Sequence, residues 1–272
     1  MTWKAAKRWH MPCFRSLLML KTASVSDLLK LSVFCEDSVF GAYVMCRAEA
    51  YGFERSFAQT YLCVSDAGEL VGVVSSLENN AVILANGRCD FEELSCFVAS
   101  SGFNTILTDE ATAKKCGFKD YQIKDVLYFD LDNEYIAVSS EADSKRIYEL
   151  FSSCFPESYP AEKDSYLFWL SDFMFRKNRG LARLKAVFGG ETLCAAAVTG
   201  AEFEKAAVIS SVACCSDRRK MGYGKAVTLA LACELKAENK KVYVISKDED
   251  TADFYLKLGF KNCGRAAYIE RL

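Results

Sequence analysis

The sequence is short of histidine, proline and long apolar runs. Among 272 residues there are one histidine, His10, and three prolines. A single imidazole argues against a Ser-His-Asp or Cys-His hydrolase. It also leaves no paired Cys and His spacing for zinc, so no metal is expected. So few prolines suit a chain dominated by regular elements. No run approaches the roughly 20 apolar residues that span a bilayer, so no membrane partner is expected. An excess of either charge is also missing: 34 Lys and Arg face 36 Asp and Glu. That balance gives no broad electrostatic footprint for nucleic acid, and none is expected as a partner.

Cysteine, by contrast, is abundant. The 13 cysteines are odd in number, form no Cys-x-x-Cys, and often sit in apolar runs, as do Cys63, Cys194 and Cys233. Free cysteine behaves as a small hydrophobe in such places, whereas a disulfide scaffold is usually a short secreted chain. Reduced thiols and a cytoplasmic location are expected. The segment from Met11 to Leu20 is broken by Pro12 and Arg15, too interrupted for a signal core. Residues 1–19 are read as a loosely ordered extension.

The length suits two domains, and 51% hydrophobic content with 19 Phe and 13 Tyr supplies a large core. An internal repeat divides the chain. Lys115-Cys116-Gly117-Phe118-Lys119 matches Lys257-Leu258-Gly259-Phe260-Lys261. A strand-like run precedes each (Thr105 to Leu107, Val242 to Ile245), and another follows (Val126 to Phe129, Ala266 to Ile269). This order points to a diverged duplication, with domains at 20–135 and 136–272 and a small, polar junction near residues 134–143.

In the second half, Ser144 to Cys154 and Glu162 to Phe175 are expected helices. Leu184 to Phe188 and Thr192 to Val198 flank Gly189-Gly190 as a hairpin. Ala206 to Cys215 reads as a strand buried on both faces. A helix from Gly222 to Glu238, a strand from Lys241 to Ser246, a helix from Thr251 to Leu258 and a final strand complete an α+β (mixed α/β) fold, with helices on both faces of a sheet.

The chemistry concentrates in Val212-Ala213-Cys214-Cys215-Ser216-Asp217-Arg218-Arg219-Lys220-Met221-Gly222-Tyr223-Gly224-Lys225. A strand ends, a basic turn follows, and two glycines open a helix. A helix start presents unpaired N–H groups and a positive dipole end, and glycine lets that backbone approach an anion. A phosphate or pyrophosphate is favoured. A plain helix start with a solvated basic turn remains open on composition alone. The P-loop and dinucleotide spacings are both absent.

Arg219 to Gly224, an Arg-x-x-Gly-x-Gly after a strand, resembles the acetyl-CoA loop of the GNAT superfamily of N-acetyltransferases. Members commonly follow it with a strand, a helix and Tyr-x-x-x-Gly-Phe, matched by Tyr255 to Phe260. The resemblance covers residues of about 145–272 and implies a fold of two GNAT-like domains, the first degenerate. It also implies acetyl-CoA as co-substrate. Backbone of Val212, Ala213 and Cys214 would take the pantetheine amides. N–H groups from Arg219, Lys220, Met221, Gly222, Tyr223, Gly224 and Lys225 would hold the pyrophosphate. Tyr255 would protonate the leaving thiolate; its alternative role is aromatic packing.

There are departures from the family pattern. Asp248 stands where many relatives carry Asn. The strand Ala206 to Ser211 has no carboxylate to serve as base, leaving a water chain or Glu157, Glu162 or Asp164. The aromatics Tyr159, Tyr166, Phe168, Trp169, Phe173 and Phe175 are read mostly as core. In the first half Ala85 to Asp90 replaces the cofactor loop, and Ala113 stands in place of Tyr255. Three functions are open. One is acetyl transfer to a small-molecule amine or a peptide amino group. The others are a non-catalytic acyl-CoA sensor and a tandem-fold interaction protein.

Overall fold

The computed structural model describes residues 20–131 and 138–271. The proposed extension 1–19, His10 and part of the proposed junction lie outside these residues. After a short strand β1 (Leu20–Thr22), one sequence of elements occurs twice. First come α1 (Leu28–Cys35), α2 (Val39–Tyr51), β2 (Ala58–Val64), β3 (Leu70–Leu77), β4 (Asn80–Ala85), α3 (Phe91–Ser100), β5 (Thr105–Asp109), α4 (Glu110–Lys115) and β6 (Gln122–Phe129). Then follow α5 (Ser144–Cys154), α6 (Lys163–Lys177), β7 (Leu184–Gly189), β8 (Thr192–Glu202), β9 (Ala206–Cys214), α7 (Tyr223–Ala237), β10 (Lys241–Ile245), α8 (Glu249–Lys257) and β11 (Phe260–Glu270).

All eleven strands form one sheet, in the order β1-β2-β3-β4-β5-β11-β6-β10-β9-β8-β7. The last strand of each half is exchanged. Strand β6 pairs antiparallel with β10 (Val242 opposite Phe129), and β11 with β5 (Ile269 opposite Ile106). The two exchanged strands pair with each other at the centre. Each half thus closes its sheet with the other half's chain.

Helices α1, α2, α5 and α6 cover one face, and α3, α4, α7 and α8 the other. Alternation along the strands supplies both sides: Val73 faces α2 while Val74 faces α3, and Val126 faces α2 while Leu127 and Phe129 face α7 and α8. Helix α2 spans the halves, packing Phe40, Val44 and Met45 into a cluster that includes Ala201, Phe203 and Val208. On β8 the run Ala195-Ala196-Ala197 is completely buried, because α7 lies on one side and α5 on the other.

A buried ion network fastens β7, β8 and α7. Glu202, with no exposure, accepts from Arg183 Nε at 2.9 Å and Nη2 at 2.7 Å and from Lys240 at 2.6 Å. Arg183 also reaches Glu234 at 3.1 Å and Glu238 at 2.5 Å, and the buried Lys185 pairs with Glu234. Such a pair offsets its own desolvation, but losing one partner strands the other charge.

Candidate active site

The site begins where two parallel strands part. Strands β9 and β10 pair from Ala206–Lys241 to Ile209–Val244 and no further. Beyond Ile209, β9 continues to Cys214 against β8 alone. There it passes Ser211, whose φ of 48° is left-handed, and a register shift opposite Ala196 and Val198. The sequence predicts burial of both faces throughout this strand. Its residues 210–212 are only partly buried, because the sheet has opened beside them.

Cys215 donates its N–H to Cys194 O at 2.9 Å. Alternation along the strand therefore turns the backbone of Cys214 and Val212 to the opposite, open edge. There, among the described residues, the Cys214 carbonyl meets only Arg219 Nε at 3.5 Å and the Cys154 thiol at 3.6 Å. An extended chain bearing amides has room to pair along this edge as an added strand would.

The basic turn leads from that edge into α7. Lys220 (φ 64°) and Gly222 (φ 88°) are both left-handed. Gly222 is the N-cap of α7 and brings no side chain to the helix start. The first helical bond runs from Ala226 N to Gly222 O at 2.9 Å, so the N–H groups of Tyr223, Gly224 and Lys225 have no carbonyl partner among the described residues. On four other helices an aspartate side chain caps this position: Asp90 on α3, Asp109 on α4, Asp143 on α5 and Asp248 on α8. Helix α7 instead leaves its donors and its positive dipole end open. Arg219, Lys220 and Lys225 stand around them and form no ion pair among the described residues. This donor set fits a pyrophosphate.

A cavity of about 750 Å³ gathers the open edge, the turn and α8. Of the candidate residues it is lined by Val212, Ala213, Cys214, Arg219, Lys220, Gly222, Tyr223, Gly224, Lys225 and Tyr255. Met221 is left outside, 58% exposed. Tyr255 on α8 is 5% exposed and packs against Phe254 and Phe260, with ring centroids 5.2 and 5.4 Å away. Burial pushes its phenol well above the ordinary tyrosine value, and no hydrogen bond to its hydroxyl is found among the described residues. The group therefore carries its proton at neutral pH. Asp248 also borders the cavity, but its carboxylate is occupied as the cap of α8, accepting from Thr251 N at 2.9 Å and Thr251 Oγ1 at 2.5 Å. Those bonds hold its pKa below the usual value.

A second cavity of about 900 Å³ lies across the junction of the halves and meets the first at Phe155, which lines both. Tyr159, Phe168, Trp169 and Phe173 face it, so these aromatics are cavity wall as well as packing. Tyr166 instead packs on Tyr148 at 5.3 Å, and Phe175 stacks on Tyr51 at 5.5 Å. Of the candidate bases, Asp164 borders this cavity and Glu157 and Glu162 do not. Sequence reasoning missed Tyr43, Lys124, Lys247 and the hydroxyl pair of Tyr159 and Ser211. The adjacent serines Ser210 and Ser211, inside an apolar strand, were the one available signal.

The first half keeps the parting of its strands but not the open helix. Pairing of β4 with β5 ends at Val82–Leu107 while β4 runs on to Ala85. Asp90 then accepts from Glu92 N and Glu93 N at 3.0 and 2.9 Å. Its own carboxylate thus occupies the place an anion would take. Ala113, matching Tyr255, is completely buried and has no hydroxyl.

Comparison with known proteins agrees with this geometry. Residues 144–260 match the model of the acetyltransferase (GNAT) family. A GCN5-related N-acetyltransferase from Sphaerobacter thermophilus superposes with a TM-score of 0.61 at 14% identity, over 92% of this chain and 95% of that one. A tandem GNAT protein from the clavulanic acid biosynthesis pathway gives 0.57 at 13%, over 92% and 98%. A GNAT acetyltransferase from Colwellia psychrerythraea gives 0.58 at 14%, over 93% and 99%. At these identities the likeness is one of fold. No curated protein sequence matches the chain. Among the described residues no helix is long and apolar enough to cross a membrane. Residues 144–260 are thus similar to the GNAT acetyltransferase family, whose co-substrate is acetyl-CoA, and the chain as a whole shares its fold with a tandem GNAT protein.

Proposed function

We propose that the protein is an acetyl-CoA-dependent N-acetyltransferase in which residues 136–272 carry the catalytic site and the first half shapes the acceptor cavity. The observation that carries the reading is the uncapped start of α7, ringed by Arg219, Lys220 and Lys225 and joined in one cavity to the open edge of β9 and to Tyr255.

Acetyl-CoA supplies an activated acyl carbon and a thiolate leaving group. The N–H groups of Tyr223, Gly224 and Lys225 bind pyrophosphate oxygens, and the three basic side chains add charge. Val212 and Cys214 hold the pantetheine arm in line along β9. An acceptor amine enters from the second cavity past Phe155. As its nitrogen forms the new C–N bond, the C–S bond breaks and Tyr255 gives its proton to sulfur. The proton lost by the amine leaves through water and restores the phenol. Asp164 is the one candidate base that borders the acceptor cavity.

The test is thiol release from acetyl-CoA in the presence of a panel of amines. Turnover that falls sharply in Tyr255→Phe supports the reading; acetyl-CoA binding without turnover of any amine counts against it. One observation favours a second reading, a non-catalytic acyl-CoA sensor: β9 carries no carboxylate to act as base. That reading predicts tight binding and no product.

A further inference from the structure

The acceptor cavity is charged in an uneven way. Its ionisable side chains other than tyrosine are Lys124, Asp164, Asp172, Arg176 and Lys247. Two of these neutralise each other: Asp172 accepts from Arg176 Nη2 at 2.7 Å and Nε at 3.0 Å, and also from Tyr51. Asp164, Lys124 and Lys247 form no ion pair among the described residues.

The two lysines are neighbours by register. Strand β10 pairs with β6 through Ile245 opposite Val126, and the ladder continues with Ser246 N donating to Asp125 O at 2.9 Å. Just past this ladder Lys247 and Lys124 both line the cavity, near enough for the charge of one to act on the other. Like charges on neighbouring antiparallel strands repel. Lys124 is half-buried, its ammonium 4.2 Å above the ring of Tyr268. Burial, and then the charge of Lys247, hold its pKa below the ordinary lysine value; Glu270 is near enough to oppose this without forming an ion pair. Glu270 offsets part of this charge from outside the cavity, and an anion between the two ammoniums would relieve the repulsion that remains. The rest of the wall sets the apolar and aromatic side chains of Leu107, Phe168, Trp169, Phe173 and Ile245 beside the hydroxyls of serines and Thr199.

The geometry points to an acceptor that is an amino-carboxylate with an apolar or aromatic side chain, its carboxylate held between Lys124 and Lys247. The inference rests on the acetyltransferase reading for its reaction, and it names the substrate class of that site. The side chain lies against Trp169 and Phe168, and the amine points past Ser211 and Phe155 toward the cofactor cavity. Because Lys124 comes from the first half, that half has a direct part in acceptor selection.

The test compares full-length protein on L-phenylalanine and L-tryptophan, on the descarboxy amines phenethylamine and tryptamine, and on O-phosphoethanolamine. The amino acids should exceed their descarboxy partners in kcat/KM by about tenfold or more, the scale of one charge-assisted contact. Lys124→Gln and Lys247→Gln should each raise KM for the amino acid by about that factor, with KM for acetyl-CoA unchanged. Preference for the descarboxy amines or the phosphate ester, or an unchanged KM in both lysine variants, overturns the inference. If no amine is acetylated, the acetyltransferase reading fails and binding decides the present one. Titration of N-acetyl-L-phenylalanine and N-acetylphenethylamine is then followed by the fluorescence of Trp169, with Trp169→Phe as reference. Binding at least about tenfold tighter for the carboxylate, lost in the lysine variants, upholds the site; equal or absent binding overturns it.

Discussion

Gly222→Asp isolates the anion site from the fold. Gly222 has φ 88°, and no atom lies within 4 Å of where a Cβ would stand, so a side chain fits but the backbone is strained. A left-handed conformation costs an L-residue about 1–2 kcal/mol, and aspartate tolerates it better than most. The carboxylate would sit beside the open N–H groups of α7 and among Arg219, Lys220 and Lys225, much as Asp90 fills the start of α3. In wild type, acetyl-CoA at about 100 times its Kd should stabilise the native state by about 2.7 kcal/mol. For a chain of this size that is a rise in Tm of roughly 5–10 °C. Gly222→Asp should lower the ligand-free Tm only by the backbone strain and lose most of the acetyl-CoA shift. Gly222→Ala carries at least as much strain without the charge, so it should keep most of the shift. Differential scanning fluorimetry reads all three. Equal shifts in both variants, or no shift in wild type, would refute the placement of the pyrophosphate at α7.

Removing the phenol in Tyr255→Phe keeps the ring against Phe254 and Phe260; kcat should fall by roughly 10²–10⁴-fold with Tm nearly unchanged, checked by steady-state kinetics. Glu202→Ala removes the one fully buried acceptor of Arg183 and Lys240, which keep Glu234 and Glu238, and should cost about 1.5–3 kcal/mol in urea unfolding. Acid titration of the fold should expose the same network. Hydrogen bonds from Arg183 hold Glu238 down to about 2, and Lys185 and Arg183 hold Glu234 below its ordinary value against its burial. Depressed pKa values mean that this stability is complete above the unfolded value of about 4.3 and is lost as pH falls from there toward 2. Loss of Tm beginning well above pH 5 would contradict it. Because β6 and β11 are exchanged, residues 1–135 and 136–272 made separately should be largely unfolded by circular dichroism and regain structure when mixed.

The cavity that joins β9, the basic turn and α8 was legible because its signals are local. Strand, basic turn and Gly-x-Gly are consecutive, and Tyr255 lies one helical stretch from Gly259. The repeat was legible from Gly117-Phe118 and Gly259-Phe260 for the same reason. Strand exchange was not. Which partner β6 and β11 choose depends on contacts more than a hundred residues apart, and the apolar part of each, Val126 to Phe129 and Ala266 to Ile269, would fit either sheet. The start of β11 was also hidden: expected from Ala266, it begins at Phe260, because Lys261 to Arg265 are exposed and a register shift falls between Asn262 and Gly264. The wall formed by α6 could not be separated from core, since Phe168, Trp169 and Phe173 lie on different parts of a helix apolar on several sides. Lys124 and Lys247 carry no signal alone and acquire one only through the pairing of β6 with β10.

The central claim is that this chain moves an acetyl group from acetyl-CoA to an amine. The direct measurement is incubation with acetyl-CoA labelled in the acetyl carbons and an amine panel that includes L-phenylalanine, with products read by mass spectrometry. The account predicts a labelled N-acetyl amide, formed catalytically and sharply reduced by Tyr255→Phe. A protein that binds acetyl-CoA at α7 yet yields no labelled amide from any amine would contradict it.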